Sequence, residues 1–182
     1  MILELRRRFN REYSADKYAS LLRGLNRSCG GEVGFRVAET PIFLPLVLLG
    51  EMAAAGAELT GWLMSNPAYL AAAHQAIPAA YRVAGETAHP NFLTADFGLV
   101  RTASGELAPR LVEIQAFPSV YGYQDALCSA YREAFVLPEG LGSYLGELDE
   151  ARYWNLLART VLAGHAPENV VLAELDPLNQ KT

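Results

Sequence analysis

Cysteine is scarce in this 182-residue chain: only Cys29 and Cys128 occur, about a hundred positions apart. Neither sits in a CxxC motif or in any metal-ligand spacing, so a disulfide framework and a structural zinc site are both excluded. Two buried, free thiols in a reducing compartment are the expectation. Lysine is almost absent, with Lys17 and Lys181 alone among arginines, and the net charge of −5 argues against a nucleic-acid partner. The basic run Arg6-Arg7-Arg8, with Arg11 beyond it, reads as a solvated helix face. Long apolar runs are also missing. The most apolar stretch, residues 42–49, contains Pro45 and is soon followed by Glu51. It is far too short to span a bilayer. The order of residues 1–9, apolar before basic, does not match a secretory signal. A cytoplasmic protein without a membrane partner is the resulting expectation.

What is present is ample core material: half the residues are hydrophobic and only 19% are charged. Ser14 is a good N-cap for a helical pattern through Tyr18, Leu21, Leu22 and Leu25, which Gly30-Gly31 stops. Residues 33–37 read as extended, and a long apolar helix is expected from Leu46 to Met64. Asn66-Pro67 opens another helix, which Pro78 closes. Residues 92–116 alternate like strands, and 121–135 return to helical spacing. After a glycine-rich stretch at 140–146, a last helix is expected over 148–163 and a strand over 170–175. The pattern predicts a helix-rich α/β or α+β domain bearing an acidic hairpin and a C-terminal strand. Such a terminal strand needs a pairing partner. The expectation is therefore a single domain over residues 1–182 or the N-terminal portion of something larger.

Chemistry concentrates between Thr94 and Gln115. Two strand-like runs flank Ser104-Gly105, an acceptable two-residue hairpin turn. With that turn, Asp96 falls opposite Glu113 and Thr94 opposite Gln115. Alternation places these four on one face, with Phe97, Val112 and Ile114 on the other. Facing carboxylates repel unless a cation lies between them. Two carboxylates and an amide oxygen can hold Mg²⁺ when nucleotide phosphates complete the octahedron. Two solvated acids on an exposed edge are the alternative.

The run Asp96-Phe97, a turn containing Gly105, then Pro109-Arg-Leu-Val-Glu113-Ile-Gln115-Ala-Phe-Pro118-Ser119 resembles a motif of glutathionylspermidine synthase-like, circularly permuted ATP-grasp proteins. The likeness is good over about residues 92–125 and loose over the last dozen. It implies a partial ATP-grasp-type fold, with Mg²⁺ and ATP as cofactors and Asp96, Glu113 and Gln115 as metal ligands. It implies an ATP-dependent carboxylate-amine ligase with small-molecule carboxylate and amine substrates, passing through an acyl phosphate. Further ATP-gripping residues would come from a missing C-terminal region or a partner subunit, leaving this chain alone inactive. Two departures stand out: Thr94 replaces the family's phosphate-contacting arginine, and Gln115 replaces an asparagine. They leave a second reading open, a non-catalytic binding or assembly module that retains the fold.

Arg36 could grip a substrate carboxylate as a bidentate fork or pair with Glu39 on the surface. Ser119 follows the acidic strand as a second candidate substrate contact; nothing around it matches a serine nucleophile. His74, His89 and His165 show no metal spacing. The glycines at 140, 142 and 146 do not fit a dinucleotide loop.

Overall fold

A computed structural model describes residues 1–116 and 120–173. Helix predominates, and the described strands form one two-stranded antiparallel sheet, which makes the architecture α+β. The chain divides into two compact units, residues 44–118 with Met1, and residues 2–43 with 119–182.

The second unit is built on three helices: α1 (Leu3–Glu12), α2 (Ala15–Ser28) and α5 (Tyr121–Ala134). Ser14 caps α2 as expected, its Oγ accepting from the Lys17 amide at 3.3 Å. Leu21 and Leu25, one turn apart on α2, are fully buried. Gly24 lies between them, and a β-carbon there would sit 3.9 Å from the Ala130 methyl of α5. The small residue allows α2 and α5 to pack closely. Phe9 brings α1 into the same core, its ring 4.5 Å from Phe135 and 6.3 Å from Tyr131.

Two tyrosine hydroxyls pin the extended segment that follows α2. Tyr18 donates to the Val37 carbonyl at 2.7 Å, and Tyr131 donates to the neighbouring Ala38 carbonyl. Burial pushes the Tyr131 phenol up to about 12, with Tyr18 adding in the same direction. The arginine run lies on α1, where Arg8 pairs with Glu12 at 3.1 Å and Arg6 bonds Asn10. A helix α6 (Glu150–Leu162) begins at Asp149, whose Oδ1 accepts from the Arg152 amide at 2.8 Å. It ends at Ala163 in the left-handed region, and a short 3₁₀ turn (Pro167–Asn169) follows.

Two expectations are corrected here. Residues 170–173 form no strand, and Val171 and Leu172 are almost wholly exposed; residues 174 and 175 lie outside the described part. β-Propensity expresses itself only where an edge supplies hydrogen bonds. The cysteines are free but not buried: Cys29 is exposed and Cys128 half-buried.

The other unit holds α3 (Leu46–Met64), α4 (Pro67–Ala76), a 3₁₀ turn (Ala79–Tyr81), and the strands β1 (Thr94–Arg101) and β2 (Leu107–Gln115). Asn66 caps α4, its Oδ1 accepting from the Ala68 and Tyr69 amides, each at 3.1 Å. The apolar run at 42–49 continues into α3, whose 19 residues are long and apolar enough to cross a membrane by length and composition. In this fold one face of α3 packs against the hairpin. A β-carbon on Gly56 would stand 3.3 Å from the Ala95 methyl and 3.8 Å from the Phe97 ring.

Candidate metal-nucleotide hairpin

The hairpin forms between Thr94 and Gln115, but its turn differs from the expected one. The Thr102 amide donates to the Glu106 carbonyl and the Gly105 amide to the Thr102 carbonyl, each at 2.9 Å. Thr102 and Glu106 therefore face each other across a three-residue loop, Ala103-Ser104-Gly105. Gly105 takes φ +85, a left-handed conformation that favours glycine. The extra loop residue shifts the pairing by one position, so that Phe97 faces Leu111. A bulge between Asp96 and Phe97 then leaves Val112 without a partner and shifts the register back. Beyond it Asp96 faces Glu113 and Thr94 faces Gln115, the pairings read from the sequence.

Those pairings set the geometry of the acidic patch. Ala95 and Phe97 contact the Gly56 region of α3. Alternation therefore points Asp96 and Thr94 away from that helix, with Glu113 and Gln115 beside them. Asp96 is half-buried, while Glu113 and Gln115 are exposed. The Gln115 Nε2 donates diagonally to the Asp96 Oδ2 at 3.2 Å. Facing side chains on such a ladder have β-carbons roughly 5 Å apart, close enough for both carboxylates to share one cation.

The donor set consists of hard oxygens: two carboxylates and, after a half-turn of the Gln115 amide, its Oε1. That set fits Mg²⁺, which commonly takes one or two carboxylates and fills its remaining positions with water and phosphate oxygens. Among the described residues no group of three or more His, Cys, Asp or Glu side chains is placed to hold a metal. Asp96 and Glu113 would therefore need outside ligands to complete a coordination sphere.

The other candidates fall elsewhere. Arg36 belongs to the helical unit, where its guanidinium pairs with Glu39 at 3.1 Å and is 85% exposed. This is the surface ion pair, with one edge of the fork occupied. Ser119 lies outside the described residues. His74 lies 3.7 Å from Glu86, the His89 ring bonds the Met64 carbonyl, and His165 is exposed after α6.

One group carried no weight in the sequence. Asp125 on α5 is buried, accepting from the Tyr144 hydroxyl and, at 2.9 Å, from the Trp154 indole. Burial and this bond to a carboxylate raise the Tyr144 phenol well above its ordinary value. Burial likewise raises the Cys128 thiol, against opposing contributions from Ser143 and Arg132. A thiol raised in this way is a poor nucleophile at neutral pH. The network ties α5 to residues 144 and 154 and is structural in character. Spacing could have marked Asp125 itself, though not its partners: it stands one turn from Tyr121 and Cys128, in the inward stripe of its helix.

Compared with protein-family models, curated proteins and solved structures, the chain matches none.

Proposed function

We propose that the hairpin holds the metal-nucleotide part of an ATP-dependent carboxylate-amine ligase of the glutathionylspermidine synthase-like, ATP-grasp kind. The observation that supports this most strongly is the register that sets Asp96 against Glu113, with Gln115 bonded to Asp96. Without a cation, two facing acids oppose their own strand pairing. With one, the same pair becomes an attractive bridge, and a bound divalent ion neutralises charge developing on transferred phosphate. Asp96 and Glu113 would hold Mg²⁺ directly, and Gln115 would either ligate through Oε1 or orient Asp96. In the reaction class, a substrate carboxylate takes the γ-phosphoryl group from ATP and ADP leaves. An amine then attacks the acyl carbon and displaces phosphate.

Exposed apolar surface in the hairpin unit supports a covering surface for it, from this chain or another. Leu46, Val47, Trp62, Tyr81 and Val112 are each more than 60% exposed, more large apolar surface than a self-contained unit of this size normally leaves in water.

A non-catalytic assembly module is the second reading. Two observations favour it: Gln115 engages Asp96 through its amide nitrogen, which cannot ligate a cation, and Thr94 stands where the family has an arginine. Calorimetric titration of the chain with ATP in excess Mg²⁺ separates the two readings. A Glu113→Ala variant is expected to lose at least tenfold in affinity, about 1.4 kcal/mol. Equal affinity in the two proteins contradicts the site, and absence of nucleotide binding to either once the further region or partner subunit is supplied favours the assembly module.

A further inference from the structure

The hairpin unit also contains an open cleft of about 620 Å³, within the usual size range of small-molecule sites. Leu63, Leu70, Ile77, Leu93 and Ile114 give it apolar walls drawn from α3, α4, β2 and the segment between α4 and β1. Tyr69, His74, Glu86, Thr87 and His89 supply its polar groups, and among the described residues no lysine or arginine lines it. Strand alternation separates it from the acidic patch. Ile114 turns into the cleft while its neighbours Glu113 and Gln115 turn to the opposite face.

The hydrogen bonds of those polar groups define what the cleft can accept. His89 Nε2 lies 3.0 Å from the Met64 carbonyl, which can only accept, so Nε2 carries the proton. In the neutral ring Nδ1 is then an acceptor. The Thr87 hydroxyl spends its proton on the His89 carbonyl at 3.0 Å and keeps its lone pairs. Glu86 lies 3.7 Å from His74 Nδ1, an ion pair when that imidazole is protonated but beyond hydrogen-bond length, so its carboxylate retains accepting capacity. Apolar walls thus meet a rim with several acceptors and one carboxylate, Glu86.

We infer that this cleft is a binding site for a small ligand with an apolar body and a protonated amine, the amine held by Glu86. The inference is independent of nucleotide binding and does not rest on the acidic patch.

Dansylcadaverine, an apolar fluorophore carrying a primary amine, is a suitable probe, with uncharged dansylamide as its comparison. Both are titrated into the chain without Mg²⁺ or nucleotide. Saturable binding of dansylcadaverine is expected, with at least a fivefold preference over dansylamide. Glu86→Gln is expected to abolish that preference while leaving dansylamide affinity unchanged. Ala73→Trp or Ala88→Trp, each filling the cleft from an exposed position, is expected to weaken both probes at least tenfold with the circular dichroism spectrum retained. Using both filling variants guards against one failing to fold. No saturable binding, or unchanged binding in a folded filling variant, overturns the site. An amine preference that survives Glu86→Gln overturns the role given to that carboxylate.

Discussion

Asp125→Ala is expected to destabilise the helical unit by about 2 kcal/mol, because two donors lose their acceptor at once. Asp125 is 8% exposed and receives both the Tyr144 hydroxyl and the Trp154 indole N–H. Water can reach Tyr144 and Trp154 in part, which holds the loss below that for two fully buried orphans. The two tryptophans allow a clean measurement, since Trp62 lies in one unit and Trp154 in the other. In a Trp62→Phe background, urea unfolding followed by Trp154 emission should shift to a lower midpoint on Asp125→Ala. Asp125→Asn keeps one acceptor and should fall between the two. An unchanged midpoint in the alanine variant would mean that the network contributes nothing to stability.

Leu25→Ala is expected to cost more, about 3 kcal/mol, combining lost transfer energy with the cavity left behind. Leu25 has no exposed surface and packs in the cluster with Phe9, Leu21, Ala130, Tyr131 and Phe135. Several aromatic rings border the site, and rigid rings collapse poorly into a vacated volume. The same Trp154 titration reads the effect. A loss below about 1 kcal/mol would show that the core relaxes around the gap, the behaviour of a loosely packed interior. Together the two variants separate polar from apolar contributions within one unit.

Much of this architecture is legible in the sequence because helix signals are local. Ser14 and Asn66 cap the helices they precede, and the spacing of Leu21 and Leu25 marks a buried face. The hairpin was legible for a less direct reason. A two-residue turn was expected, and the loop has three residues, which alone would have set Asp96 one position out of register. The bulge at Val112 offsets the added residue, so the Asp96–Glu113 pairing survives. The loop has one local sign, Gly105 at its left-handed position, whereas the bulge has none, because it is fixed by strand packing and not by the type of Val112.

What the sequence hid was non-local. The partners of Asp125 lie 19 and 29 positions away, and nothing along the chain announces that they converge. The cleft gathers residues from two helices, a loop and a strand, so its polar rim exists only after folding. Residues 170–173 failed as a strand for the converse reason: their composition is local, but an edge to pair with is not.

The central claim, that Asp96 and Glu113 hold a metal-nucleotide, is tested most directly by paramagnetic broadening. Mn²⁺ replaces Mg²⁺ at oxygen sites and erases nearby amide resonances. With substoichiometric Mn²⁺-ATP, the amides of residues 95–97 and 112–115 should broaden selectively, and Glu113→Gln should remove the effect. Uniform broadening, or selective loss confined to residues remote from the hairpin, would contradict the assignment.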